Sequence, residues 1–217
     1  MGNDLARLRR LYDANRFLDI YEATREAWHA PGSVQDLAVE ELIFAGRVAA
    51  RLGGDERQRR LFRRAWDQAP EHPEVRYYAR AWGRGRPHLL GLLREYEARP
   101  HLGCDDPRLE ASWLAHLAVS WSQVRDYKRA HALLDEARDL DAKRSWVDVC
   151  TSFVLDGEGA WEDALERAER AFARDPGMPA AVSRLGSALV RCGRREEARR
   201  RMTAAATDTQ SYEVRVN

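Results

Sequence analysis

The residues best suited to chemistry lie together in one short stretch, "PHLGCDD", residues 100–106. It contains His101, Cys104, Asp105 and Asp106. A cysteine beside a histidine can form a nucleophilic pair, and the same side chains can bind a metal ion. A structural turn explains the stretch more simply, because Asp106 directly precedes Pro107 and can cap a helix that begins there. We therefore expect no catalytic residue and no metal ligand in this stretch.

Other candidate sites for chemistry are sparse. The segment "GRGRP", residues 83–87, lacks the glycine spacing of a phosphate-binding loop and follows a helical pattern instead of a strand. His116 and His131 lie in predicted helices, where a packing or surface role is more common than ligation. The sequence therefore predicts a protein that is not an enzyme and that needs no cofactor.

The charge balance disfavours a dedicated nucleic-acid binder. The chain has 217 residues, of which 36 are basic and 35 acidic, so its formal net charge is only +1. A nucleic-acid-binding protein usually carries a clear basic excess. Almost all of the basic residues are arginine, with Lys128 and Lys143 as the only lysines. We interpret this bias as codon usage in a GC-rich, bacterial genome rather than as selection for anion contacts.

The cysteines and the apolar segments indicate a protein of the cytoplasm. Cys104, Cys150 and Cys192 lie far apart, and no C-x-x-C motif occurs, which disfavours a disulfide framework or a zinc ribbon. No apolar run approaches the roughly 18 residues that a membrane span requires. The charged start of the chain also lacks a signal-peptide core. We expect no membrane partner.

The dominant feature of the sequence is a repeat. Four windows of 29 residues align without a gap from Leu42, Leu114, Asp148 and Val182, and the last three start 34 residues apart. Each window predicts a first helix with a small residue, a turn, and a second helix with small apolar residues along one face. The small residues of the first helices are Gly46, Ala118, Ser152 and Gly186. The inner faces of three second helices contain Ala130, Leu134 and Ala137; Ala164, Ala168 and Ala171; and Ala198, Met202 and Ala205.

This pattern resembles the tetratricopeptide repeat, a helix-turn-helix of 34 residues. The match is closest in "AWEDALERAERAFARDP", residues 160–176. The resemblance implies an all-α, right-handed superhelical solenoid of antiparallel helix pairs, whose first helices line a concave face. Tryptophans in such an array usually pack between helices. We expect this of Trp66, Trp113, Trp121 and Trp161.

We predict a single repeat domain over residues 1–217 with about six helix pairs. The clearest repeats span residues 38–70, 110–142, 144–176 and 178–210. Residues 1–31 and 73–100 read as divergent helix pairs, and residues 100–107 as an irregular loop.

The predicted register identifies the residues of the concave face. Chaperone-binding members of the family bind a terminal carboxylate through Lys and Asn on this face, and this sequence lacks that set. The same register predicts that the concave face exposes Ser112, Ala115 and Val149. What the face offers instead is arginine in the N-terminal half and apolar side chains in the C-terminal half. The candidate partner-binding residues are Arg47, Arg51, Arg80, Arg84, Gln123, Trp146, Phe153 and Arg191.

Such a face favours a protein-interaction scaffold that binds a peptide or partner protein with acidic and apolar residues. Two alternatives stay open: a repeat segment of a larger multidomain enzyme or regulator, and an anion or nucleic-acid binder that uses the arginines. The last predicted repeat has no following helix, so its apolar edge could also support a homo-oligomer.

The basic tract "LVRCGRREEARRRM", residues 189–202, is mostly a solvated helix face. Glu196 precedes Arg200 by four residues and Glu197 precedes Arg201 by four, and such pairs offset local charge. Nucleic-acid binding through this tract is therefore not expected. Arg191, at the end of its first helix, is the one arginine of the tract predicted to face a partner.

Overall fold

A computed structural model of the chain describes residues 2–29, 33–79 and 89–208. These residues form twelve α-helices and one short 3-10 helix, and they contain no β-strand, which confirms the predicted all-α class of helix pairs. None of the described helices combines the length and the apolar character that a membrane crossing requires. The helices are α1 (Gly2–Asp13), α2 (Phe17–His29), α3 (Val39–Arg51), α4 (Asp55–Gln68), α5 (Pro73–Tyr78), α6 (Leu89–Ala98), α7 (Pro107–Ser122), α8 (Tyr127–Leu140), α9 (Ser145–Glu158), α10 (Trp161–Arg174), α11 (Pro179–Arg191) and α12 (Arg195–Asp208).

The chain divides into two compact units. We call Met1–Gly85 with Ala206–Asn217 the N-terminal unit, and Arg86–Ala205 the C-terminal unit. The core of the N-terminal unit is rich in large side chains from α1 to α5. Its buried members include Phe17, Ile20, Trp28, Leu42, Ile43, Phe44, Leu61, Phe62 and Val75.

The C-terminal unit packs small residues against large ones. The predicted inner faces of α8 and α10 are buried, because alanines there let neighbouring helices approach closely. On α12, Ala198 and Ala205 are buried, whereas Met202 is only partly buried. Trp113 is fully buried in this unit. The expectation for Trp161 was wrong, because its side chain is 43% exposed at the start of α10.

Polar caps and proline set the first turns of several helices. The Asp106 carboxylate accepts a hydrogen bond of 2.9 Å from the Arg108 backbone N–H, and Pro107 occupies the first turn of α7. This confirms the capping role predicted for Asp106. The Asp126 carboxylate accepts a 3.1 Å bond from the Arg129 backbone N–H at the start of α8 in the same way.

The turn inside each repeat requires a left-handed backbone. Gly53, Gly159 and Gly193 adopt φ values of 76°, 87° and 76° in three of these turns. The equivalent residue between α7 and α8 is Arg125, which lies 34 residues before Gly159 and has a φ of 63°. An L side chain in this region is strained, so this turn is the least favourable of the four.

We expect Arg125→Gly to raise the free energy of unfolding by about 0.5–1 kcal/mol, because glycine removes the strain and Arg125 is exposed. Urea denaturation followed by circular dichroism measures the change. Gly193→Ala is the matched control, since it introduces the same strain into an equivalent turn and should destabilise. A less stable Arg125→Gly variant would contradict this explanation.

Candidate interaction surface

The loop before α7 is held in place by one buried carboxylate. The Glu110 side chain accepts a 3.0 Å hydrogen bond from the Leu102 backbone N–H. It also lies 3.3 Å from His101 Nδ1 and 3.8 Å from Cys104 Sγ. His101 and Cys104 therefore both contact Glu110, which acts as an anchor for the loop.

The environment of Cys104 does not favour a nucleophile. Burial raises the pKa of the Cys104 thiol, and the nearby carboxylates of Glu110 and Asp106 oppose its ionisation further. A reactive cysteine needs the opposite shift. Among the residues that the structure describes, no group of three or more His, Cys, Asp or Glu side chains could hold a metal ion.

The two helical histidines have different surroundings. Burial lowers the pKa of His116 on α7 to about 4, so its ring is neutral near pH 7. His131 on α8 lies 2.9 Å from the Glu158 carboxylate at the end of α9. Packing within the C-terminal unit explains His116, and the interhelical pair with Glu158 explains His131.

The first helices of the C-terminal repeats, α7, α9 and α11, pack side by side and form what we call the inner face. Phe153 on α9 is 44% exposed and Val190 on α11 is 45% exposed. Gln123 is exposed directly after α7, and Trp146 is half-buried near the start of α9.

Three positions predicted to be exposed on this face are in fact buried. Ser112, Ala115 and Val149 have no exposed area, because neighbouring helices pack over them. Val149, for example, lies in a cluster with Ala171 and Ala181. The accessible inner face is therefore narrower than the sequence indicated.

A buried arginine, Arg184, connects the exposed residues of the inner face. Its guanidinium lies 4.6 Å from the centre of the Phe153 ring, in the geometry of a cation–π contact. Its Nε donates a 2.8 Å hydrogen bond to the Ser152 hydroxyl, and its Nη2 lies 3.3 Å from Asp156 Oδ2. The hydrogen bond and the ion pair hold the Arg184 guanidinium in place against the Phe153 ring.

Arg191 completes this network at the surface. Its Nε donates a 3.1 Å hydrogen bond to Asp156 Oδ1, and its side chain is 56% exposed. Asp156 thus faces two guanidiniums, those of Arg184 and Arg191, and the three groups together carry a net charge of +1. Burial lowers the pKa of Arg184, whereas the charge and hydrogen bond of Asp156 raise it.

Sequence reasoning missed Arg184 because a buried charge was not expected in a first helix. The signal was present in the repeat, since Arg184 follows Cys150 by 34 residues and His116 by 68. Both of those residues lie in the packed part of their helices. A charged residue at an equivalent position needs a partner, and here the partners are Ser152 and Asp156.

In the N-terminal unit, Arg47 and Arg51 lie against aromatic rings. The Arg47 guanidinium is 4.8 Å from the centre of the Tyr12 ring and 5.7 Å from that of Tyr78. Arg51 lies over Tyr12 and Phe17, and its Nε donates a 3.3 Å bond to the Tyr12 hydroxyl. Their role toward a partner stays a prediction.

Two further candidates, Arg80 and Arg84, lie outside the described residues. The structure brings Phe153 and Arg191 into one network. Gln123 directly follows α7, and Trp146 lies in the first turn of α9.

The tetratricopeptide repeat family model matches residues 157–214 of the chain. Residues 157–214 therefore carry the tetratricopeptide repeat pattern. A thermophilic tetratricopeptide repeat protein of Thermus thermophilus is similar in structure, with a TM-score of 0.58 and 20% sequence identity over 82% of this chain and 96% of that chain. A tetratricopeptide repeat protein from Parabacteroides merdae aligns with a TM-score of 0.49 and 12% identity, over 97% of this chain and 80% of that chain. No curated protein sequence matches the chain.

The tetratricopeptide repeat fold is consistent with a scaffold for protein–protein interaction. Repeat proteins of this kind bind through surface side chains of a rigid helical array.

Proposed function

We propose that this protein is an interaction module that binds an acidic and apolar segment of a partner protein on the inner face of its C-terminal unit. The observation that carries the proposal is the exposed Phe153 ring, against which Arg184 packs, together with the exposed Val190 and Arg191 on the neighbouring α11. Exposed aromatic residues with a fixed position are efficient binding residues, because little side-chain entropy is lost on association.

The charge of the network indicates which partner fits. The single carboxylate of Asp156 pairs with the guanidiniums of both Arg184 and Arg191, and more than half of the Arg191 side chain stays exposed. An acidic side chain of a partner can pair with Arg191 while apolar side chains cover Phe153 and Val190. Three helices that pack side by side, α7, α9 and α11, form a surface on which an extended or helical peptide can lie.

Peptides selected from a displayed random library on the full chain test this proposal. We expect the selected sequences to combine acidic with apolar residues. We expect Phe153→Ala to weaken their binding by about tenfold, equivalent to about 1.4 kcal/mol, when affinity is measured by fluorescence anisotropy. Arg191→Gln should weaken only the peptides that carry an acidic residue.

The matched control is Leu140→Ala on α8, which removes a similarly exposed apolar side chain away from the inner face. It should leave every affinity within twofold of the unmodified protein. Selected peptides that bind Phe153→Ala as tightly as the unmodified protein would refute the proposal, as would a selection that enriches no peptide.

A further inference from the structure

A second group of arginines in the C-terminal unit converges on one buried carboxylate. Asp148, near the start of α9, is almost fully buried. Its carboxylate lies 2.5 Å from Arg174 Nη1, 3.6 Å from Arg170 Nε and 3.7 Å from Arg167 Nη1, all on α10. Burial raises the pKa of Asp148, and the charges of these three arginines and of Arg138 on α8 oppose that rise. We call Arg138, Arg167, Arg170 and Arg174 the arginine cluster.

The positive charges of the arginine cluster exceed the negative charges that pair with it. Arg174 donates a hydrogen bond to Asp148, and Arg138 lies 2.9 Å from Asp135. Two carboxylates thus pair with four guanidiniums, which leaves a net charge of +2 (four positive minus two negative charges). Within the described part of the chain, Arg167 and Arg170 have Asp148 as their only ion-pair partner, at distances too long for a hydrogen bond.

Helix stability explains only part of this arrangement. A cation at the end of α10 and an anion at the start of α9 are both favourable to the helix dipoles, which accounts for Arg174 and Asp148. Arg167 and Arg170 lie further back on α10, at spacings that place them on the same helix face as Arg174. Like charges on one face repel each other, and Asp163 and Glu166, four residues before Arg167 and Arg170, offset only part of that repulsion.

The donors of the cluster are also incompletely used. Arg138 Nε is buried and has no hydrogen-bond partner among the described residues. The side chains of Arg167 and Arg174 are 27% exposed and that of Arg170 is 43% exposed, so their donors can be reached from solvent. Solvent-accessible guanidinium donors and an excess of positive charge at one place are the features that an oxyanion would satisfy.

We propose that the arginine cluster binds a small phosphate-class oxyanion, a ligand such as inorganic phosphate or pyrophosphate. The planar guanidinium groups match the oxygen atoms of such an anion in pairs. A charge of about −2 near neutral pH would balance the excess of +2. The anion would lie on the solvent side of the guanidiniums, away from the Asp148 carboxylate. This site is separate from the inner face and does not depend on the proposed function.

Calorimetric titration of the full chain with inorganic phosphate and with pyrophosphate, at low ionic strength, tests the proposal. We expect the double variant Arg167→Gln/Arg170→Gln to weaken binding at least tenfold. The matched control, Arg199→Gln/Arg200→Gln on α12, removes the same charge from an exposed face and should change binding less than twofold. Arg170→Lys keeps the charge but loses the planar donor pair, so it should weaken binding by an intermediate factor.

A peptide that carries phosphoserine, titrated in the same way, distinguishes a free phosphate from one borne by a protein. Weaker binding of the peptide than of pyrophosphate would support a free ligand. Equal losses in the two double variants would overturn the proposal, because they would indicate a general charge effect. It would also be overturned if phosphate bound no more tightly than chloride, or if only a single-stranded oligonucleotide bound.

Discussion

Trp113→Ala is expected to lower the free energy of unfolding by about 4 kcal/mol, the largest single-residue effect that we predict for this chain. Trp113 is fully buried in α7, and its ring packs edge-on against Tyr96 of α6 with ring centres 5.1 Å apart. Its indole Nε1 donates a 2.8 Å hydrogen bond to the Pro100 carbonyl oxygen. The substitution therefore leaves a cavity and removes the bond that holds the loop before α7. Urea denaturation followed by circular dichroism measures the loss.

Two control variants separate the contributions. Trp113→Phe keeps most of the ring volume and loses the hydrogen bond, so it should cost about 1–2 kcal/mol. Trp161→Ala removes the same side chain from an exposed position and should cost less than about 1 kcal/mol. A similar loss for Trp113→Ala and Trp161→Ala would contradict the packing described here.

The second large effect concerns a glycine that the repeat pattern marks as a close-packing position. Gly46→Ala is expected to destabilise the N-terminal unit by about 2 kcal/mol, although alanine is the better helix former. A methyl group at this position would overlap the Phe62 ring of α4. That ring is buried and stacks on Tyr78 with centres 5.2 Å apart, so it cannot move aside easily.

Gly186→Ala is the matched variant in the last repeat. Its added methyl group would meet the thioether of Met202, which is flexible and only partly buried. We expect this variant to be neutral or more stable by up to about 1 kcal/mol, because the side chain can move and alanine favours the helix. Chemical denaturation of both variants measures the difference. A loss for Gly186→Ala as large as that for Gly46→Ala would show that the flexibility of the neighbouring side chain does not decide the outcome.

Much of the fold could be predicted because its signals are local. The 34-residue period places a small residue in each first helix, a turn, and a stripe of alanines in each second helix. Each of these features acts within one helix pair, so the sequence window that encodes it is short. Asp106 before Pro107 is a local signal of the same kind, and it caps α7 as predicted.

The candidate sites could be predicted only in part, because they depend on residues from different repeats. The register predicted Phe153 and Arg191 as candidates, but it did not predict Arg184, which contacts Phe153 and shares Asp156 with Arg191. The charged and polar residues of one helix do not show which neighbouring helix supplies their ion-pair or hydrogen-bond partner. The exposure of Ser112 and Val149 was misjudged for the same reason, since adjacent helices cover them.

The sequence alone determined the helical class, the repeat length and the position of the turns, because each is set by residues close together in the chain. The tertiary structure decided which charged and apolar side chains remain accessible. The Asp148 carboxylate accepts a hydrogen bond from Arg174, 26 residues further along the chain. The Asp156 carboxylate accepts one from Arg191, 35 residues further along. The packing of the two helices of one repeat joins Asp148 to Arg174, and the packing of successive repeats joins Asp156 to Arg191.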